Sequence, residues 1–320
     1  MHHSSSNSAV RSASPKLASI GEPRHSAISF VTAMDTTLPP VQNLLAPDGT
    51  PLALRRWSPF GDASRGTVLL VHGLGEHSGR YGHVARALSA AGWQVAAYDQ
   101  RGHGMSGGAR GSLSRPDDLL CDLAAILDVV RADNPSRAGG RHLPLLLLGH
   151  SMGGLVAAQL VARAMRPVDG LILSSPALDA GLSLFKRVQL AIGHTFLPDL
   201  AQSNQLDATQ ISHDPAVVRA YQNDPLVHNR VTARLARAIV DGGAEVLERA
   251  SGWRVPTLLM WAGTDRLVAP SGSAAFATAA PSTQVRAHCF GDLYHEIFNE
   301  LDARPVFTAL ERWLDERFAA

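Results

Sequence analysis

The sequence predicts an α/β fold built on a mostly parallel sheet, and three observations carry that reading. Thr67 to Val71 is a continuous run of β-branched and leucine residues ending at His72-Gly73, as a strand buried on both faces reads. Tyr81 to Ala91 and Asp117 to Ala132 carry apolar residues at helical spacing. Strand and helix then alternate along most of the chain, which implies right-handed crossovers and helices on both faces of the sheet.

The first element is a hairpin: Leu44 to Ala46 and Leu52 to Trp57 flank Pro47-Asp48-Gly49-Thr50, a turn sequence. After the strand at Thr67, the helix from Tyr81 has Val84, Ala85, Leu88 and Ala91 on one side and closes at Gly92. Val95 to Tyr98 is the next strand, and the helix from Asp117 presents Leu119, Leu120, Leu123, Ile126, Leu127 and Val130. The unit repeats as strand Leu145 to Leu148, helix Gly153 to Ala164 and strand Gly170 to Ser174. It resumes as strand Thr257 to Ala262, helix Ser271 to Thr278, strand Val285 to Phe290 and helix Val306 to Arg317. Between about Ala177 and Trp253 the alternation stops, and helical patterns run from Leu182 to Phe196 and from Val231 to Ala250. The expected organisation is a disordered leader over 1–38, a core formed by 39–176 and 254–320, and a helical cap over 177–253 that covers the C-terminal edge of the sheet.

Composition bounds the function. The 320 residues are 45% hydrophobic and 18% charged, with 29 Lys+Arg against 28 Asp+Glu, so the chain has no basic footprint for nucleic acid. Cys121 and Cys289, widely separated, read as packing thiols in a reducing compartment. No apolar run approaches the roughly 20 residues of a bilayer span, and the N-terminus lacks the pattern of a secretory signal. A cytoplasmic, at most membrane-peripheral, location is expected; the sequence leaves the oligomeric state open.

Chemistry concentrates at Gly149-His150-Ser151-Met152-Gly153, a G-x-S-x-G between a buried strand and a helix. Small residues there permit a sharp turn that raises the Ser151 hydroxyl above the sheet, at the positive end of the next helix. Serine needs a base to take its proton, and the base needs an acid to hold its tautomer. In an open parallel sheet both belong just past the C-terminal ends of later strands, where Asp265 follows strand Thr257 to Ala262 and His295 follows strand Val285 to Phe290. Asp179, and more weakly Asp292, are rival acids. The oxyanion formed on attack at a carbonyl requires donors, which the backbone N–H groups of Met152 and Leu74 would supply. His72 reads as a structural loop residue, since the triad already has a base.

Four segments together resemble monoacylglycerol lipases and the related bacterial lysophospholipase-type serine α/β-hydrolases. They are His72 to Tyr81 (HGLGEHSGRY), Asp99 to Ser106 (DQRGHGMS), Gly149 to Gly154 (GHSMGG) and Gly263 to Val268 (GTDRLV). Asn223-Asp224-Pro225-Leu226-Val227 is similar as well, and the resemblance spans about Leu44 to the C-terminus. It implies the α/β-hydrolase fold with a cap, cleavage of a fatty-acyl ester from a small polar head, and no metal or organic cofactor. It also implies that Glu76, His77 and Arg80 lie near the polar end of the pocket; the other reading of these three is a loop whose charges pair with one another. Family members from animals often carry a second histidine shortly after the catalytic one, whereas here the run is His295-Glu296-Ile297-Phe298.

Other motif matches carry less. Gly102 to Gly107 fits G-x-G-x-x-G but leads into Gly108, Gly111 and Pro116 rather than a helix, and His295-Glu296 lacks the second histidine of a zinc-protease helix. Leu182, Phe185, Val188, Ile192 and Phe196 would line the acyl pocket or lean on a membrane, and Lys186 and Arg187 would suit an anionic lipid surface. The expected activity is hydrolysis of a monoacylglycerol or lysophospholipid ester through an acyl-enzyme. An esterase for short-chain or hydroxyalkanoate-oligomer esters and a non-catalytic binding module are the alternatives.

Overall fold

The chain enters its sheet through the hairpin read from the turn sequence. β1 (Gln42–Leu45) and β2 (Pro51–Trp57) pair antiparallel with Leu45 opposite Pro51, and Gly49 adopts the positive φ of 85° that the turn needs. The computed structural model describes residue 1 and residues 37–61, 64–134, 142–181 and 184–319, with 184–189 described in backbone only. Most of the leader reading lies outside those residues. Leu38, placed in the leader, packs half-buried against the core, and the Pro39 carbonyl accepts from Arg55 at 2.6 Å.

Next come β3 (Thr67–Val71), α1 (Gly82–Ala90), β4 (Gln94–Tyr98), α2 (Asp118–Ala132), β5 (Leu145–His150), α3 (Met152–Ala162) and β6 (Gly170–Ser174). An insertion then holds α4 (Leu184–Phe196), β7 (Ala201–Ser203), α5 (Pro215–Asn223), β8 (Arg230–Thr232) and α6 (Ala233–Arg249). β9 (Thr257–Ala262), α7 (Pro270–Ala279), β10 (Val285–Phe290) and α8 (Arg304–Arg317) close the chain. The main sheet has the order β1-β2-β4-β3-β5-β6-β9-β10, parallel from β4 onward.

Continuous apolar runs become strands buried on both faces because alternate residues enter two separate cores. Leu69, Val71, Leu145 and Leu147 face α2 and α3, while Val68, Leu70, Leu146 and Leu148 face α1 and α8. The whole apolar face read for α2 is buried there.

Several boundaries differ from the sequence reading. A 3-10 turn at Ser78–Tyr81 precedes α1, which therefore starts at Gly82. Val231 and Thr232 are strand, not helix: Arg230–Thr232 pairs antiparallel with Ala201–Ser203, and the Thr232 hydroxyl accepts the Leu235 N–H to start α6. Three-residue strands show no periodicity. α5, which the spacing also did not reveal, begins at Pro215 with Asp214 accepting the Ala216 N–H at 2.7 Å. Cys121 and Cys289 are not packing residues; both are exposed, one on the outer face of α2 and one on the edge strand β10. Among the described residues no helix is long and apolar enough to cross a membrane.

Two glycines seat the insertion on the core. The Gly75 carbonyl accepts the His228 N–H and the Gly111 carbonyl accepts the Thr232 N–H, at 2.8 and 2.9 Å. Both have positive φ, and a Cβ at either would fall within 2.4 Å of a carbonyl oxygen of the insertion.

Trp313 of α8 is fully buried in the second core. Trp313→Ala is expected to destabilise the fold by about 3–5 kcal/mol, read from the urea midpoint at constant m.

Candidate active site

β5 ends at His150 and α3 begins at Met152, leaving Ser151 alone in the turn at φ 52° and ψ −121°. A residue with a side chain holds such a conformation only where its surroundings impose it. A Cβ on Gly149 would stand 2.6 Å from the Gly153 carbonyl oxygen, and one on Gly153 would stand 2.2 Å from that of Val71. No other residue fits either position. The Ser151 N–H donates to the Ser174 carbonyl at 3.0 Å, and the Ser151 carbonyl accepts from Leu155 and Ala177, each at 3.0 Å. The strained turn is thus pinned from three sides.

The loop after β9 holds Asp265 and the loop after β10 holds His295, and His295 Nδ1 lies 2.6 Å from Asp265 Oδ2. Oδ1 of Asp265 accepts the N–H groups of Leu267 and Val268, so the carboxylate is locked in orientation. Burial favours the neutral carboxyl, but the bond and charge of His295 with these backbone donors outweigh it, and the Asp265 pKa is lowered. Burial likewise opposes the His295 imidazolium, yet Asp265 prevails and raises that pKa above its usual 6.5. With Nδ1–H donated to Asp265, Nε2 is the ring nitrogen left to accept a proton. Asp179 does not meet His295: its carboxylate accepts from the Gly181 N–H and the Ser271 hydroxyl. Asp292 is exposed.

The loop after β3 brings backbone against the turn, since a Cβ on Gly73 would lie 3.1 Å from Ser151 Cβ. Leu74 lines the pocket with Ser151 and His295, and Met152 is the first residue of α3. His72 accepts the Gln100 N–H at Nε2, so Nδ1 carries the proton and donates to the Gly73 carbonyl at 2.8 Å. Burial lowers its pKa, and the ring serves the loop as a neutral strut.

Glu76, His77 and Arg80 are engaged with other protein groups. Glu76 Oε1 accepts the Gly73 N–H and the Tyr81 hydroxyl, each at 2.6 Å, and Oε2 accepts from Arg80. Although burial opposes its charge, Arg80 and the neighbouring histidines hold the Glu76 pKa down at about 2. Arg80 also donates twice to Glu296, at 2.6 and 2.8 Å, and its guanidinium lies 4.8 Å over the Tyr221 ring. His77 Nδ1 accepts the Gly79 N–H, so Nε2 donates to Asp224 of the insertion at 2.9 Å.

The pocket holds about 200 Å³. Glu76, Glu296, His150, Tyr221 and Asn204 contribute polar lining beside Ser151 and His295, and aliphatic residues such as Leu206, Ile211, Val231 and Ile239 contribute most of the rest. Sequence reasoning missed Glu296, His150 and Tyr221 as lining residues. The His150 ring stands 4.7 Å from that of His295, and burial followed by the His295 charge pushes its pKa down to about 4. The signal for Glu296 was its place beside His295; its partner Arg80 is 216 positions away.

A family model described as serine aminopeptidase, S33, matches residues 62–302. A monoacylglycerol lipase of Mycolicibacterium smegmatis is 36% identical over 261 residues, covering 81% of this chain and 90% of that protein. A Bacillus subtilis phospholipase is 30% identical and covers 81% of this chain and 99% of that protein. Among solved structures, the monoacylglycerol lipase of Paleococcus ferrophilus superposes with a TM-score of 0.73 at 30% identity, covering 83% of this chain and 99% of that one.

The low pKa of Glu76 makes it a source of acid lability. A depressed carboxylate contributes stability above its unfolded value of 4.5 that is lost as pH falls toward 2. Urea unfolding at several pH values is expected to show Glu76→Gln less stable than the parent at pH 7, with the gap narrowing below pH 4.5.

Proposed function

The chain belongs to the serine aminopeptidase S33 hydrolase family, and from that premise we propose a serine ester hydrolase that releases a fatty acid from a monoacylglycerol-like ester. The observation that carries this reading is that His295, paired with Asp265 at 2.6 Å, lines the same pocket as the strained Ser151. His295 Nε2 takes the Ser151 proton as Oγ attacks the ester carbonyl. The N–H groups of Leu74 and Met152 hold the oxyanion, and Asp265 stabilises the imidazolium. His295 then protonates the departing alcohol. Water, deprotonated by His295, releases the acid from the acyl-enzyme and restores Ser151.

Residues 177–253 act as a cap in this scheme, with 39–176 and 254–320 as the catalytic core. Leu206, Val231 and Ile239 supply apolar lining for the acyl chain. Ile192, Phe196, Leu197 and Leu200 are exposed on the insertion, an apolar patch suited to transient contact with a lipid surface. The side chains of Lys186 and Arg187 lie outside the described residues.

The polar end favours an uncharged head. Among the described lining residues there is no lysine or arginine, and Glu76 and Glu296 both face the pocket. Arg80, the nearby cation, has both η nitrogens on those carboxylates. A glycerol head hydrogen-bonds to such groups, whereas a phosphate meets like charge. Glyceryl esters are therefore preferred over lysophospholipids. The small volume favours a second reading, an esterase for shorter acyl chains, because pockets for drug-sized ligands run to about 300–1,000 Å³.

Ser151→Ala is expected to abolish fluorophosphonate labelling and to lower ester turnover by more than about 10³-fold with the fold intact. Asp265→Asn is expected to cost about 10⁴-fold in kcat, and Asp179→Asn to leave kcat within about threefold of the parent. His295 works as a neutral base, so kcat/KM falls as pH drops through its raised pKa, and the acid limb lies above 6.5 in the parent and moves to lower pH in Asp265→Asn. Glycerol esters of C8 to C16 acids are expected to exceed both acetate esters and lysophosphatidic acid in kcat/KM; a maximum at acetate or butyrate establishes the short-chain reading.

A further inference from the structure

Arg80 connects two loops that the sheet does not connect. The loop after β3 carries Gly73 and Leu74 against Ser151, and the loop after β10 carries His295. In the sheet β5, β6 and β9 stand between these two strands, so no ladder hydrogen bond sets the distance between the loops. The guanidinium spans the gap, donating to Glu76 Oε2 at 2.5 Å and to the two oxygens of Glu296 at 2.6 and 2.8 Å. Each anchor reaches straight into a reacting loop. Glu76 holds the Gly73 N–H through its other oxygen, one peptide before Leu74. Glu296 directly follows His295, and its own N–H donates to the Ile211 carbonyl at 2.8 Å. The three side chains are at most 10% exposed, so these bonds are largely withdrawn from water.

We propose that Arg80 is a positioning residue: by bridging Glu76 and Glu296 it sets the spacing between the oxyanion-binding backbone and His295, and it acts on turnover rather than on recognition of the head group. This rests on the reading in which Ser151, His295 and the Leu74 and Met152 amides perform the chemistry. The planar guanidinium suits the task because its donors diverge at fixed angles toward two carboxylates, one of them engaged bidentately; an ammonium on a flexible stem fixes neither angle. Displacements on the order of 1 Å between reacting groups cost about 10²-fold in rate, so a clamp of this kind has kinetic leverage without touching substrate.

The test uses p-nitrophenyl butyrate, which lacks a glycerol head, beside a monoacylglycerol. Arg80→Ala is expected to lower kcat on both esters alike, by about 10- to 100-fold, with KM changed by less than about threefold. Arg80→Lys does not restore the rate, and millimolar guanidinium partly restores the Ala variant while leaving the parent unchanged. Glu296→Gln keeps a neutral Arg80–Glu76 pair and so removes the folding penalty of two facing carboxylates; it is expected to lose about 3- to 10-fold in kcat on both esters. A defect confined to KM for the glyceryl ester overturns the proposal in favour of a head-group contact. Unchanged kcat in the folded Glu296→Gln enzyme, or a lower Tm in Arg80→Ala with unchanged kcat, overturns it in favour of a purely structural ion pair. Residual turnover in Ser151→Ala is a separate result that overturns the underlying reading, and this one with it.

Discussion

The backbone turn at Ser151 is the constraint to which the rest of the site is fitted. At φ 52° the residue sits in a conformation that costs on the order of 1–3 kcal/mol, and the surrounding chain supplies that strain energy. Val71 and His72 press on Gly153 from below, the Ser174 carbonyl holds the amide, and Ala177 and Leu155 hold the carbonyl. β3, β5, β6 and α3 all meet at this one residue. The side chain that emerges is therefore carried by backbone hydrogen-bonded to β6, α3 and the segment after β6, so its position is stiff before any substrate arrives.

Around that turn the protein buries charge, an expensive arrangement unless every oxygen and nitrogen has a partner. Glu76, Arg80 and Glu296 satisfy one another and the Gly73, Tyr81 and Asn299 donors. Arg101 does the same with Asp48, Asp118 and Asp122 beneath the loop that follows β4. A hydrogen bond from His77 to Asp224 ties the core to the insertion. Buried ion pairs contribute little net stability, but removing one partner leaves an uncompensated charge, which makes them strict about geometry. A serine ester hydrolase has a use for that strictness, because the loop after β3 and the loop that carries His295 lie far apart in the chain and both border Ser151 in one pocket.

How far the sequence discloses this architecture depends on the range of the interactions involved. Strands at Thr67–Val71, Gly170–Ser174, Thr257–Ala262 and Val285–Phe290 have the same bounds in sequence and structure: the first three are near-continuous apolar runs suited to a sheet covered on both faces, and the last, an edge strand that also carries Arg286 and His288, is bracketed by the turn residues Pro281-Ser282 and Gly291-Asp292. The insertion is less legible. β7 and β8 are three residues each, too short to show a period, and α5 spans only nine residues with no fully buried position, so its amphipathic spacing carries little apolar weight. The exposure of Cys121 and Cys289 escaped for the opposite reason: cysteine is usually buried, and only the helix phase and the sheet edge reveal that these two are not.

By itself the sequence determined the order of strands and helices outside the insertion, the serine at a glycine-flanked turn, and an aspartate and a histidine in the two loops past later strands. Those follow from local rules, since glycine alone fits the turn and loops at the C-terminal strand ends converge in a parallel sheet. Only the tertiary structure showed that Asp265, and not Asp179, lies against His295, because that contact depends on which loop folds back beside the one after β10. It alone showed that Arg80 faces two carboxylates rather than open solvent. Charge pairing across 216 positions has no local signature, and the side chains meet only after the sheet has brought its eighth strand within reach of its fourth.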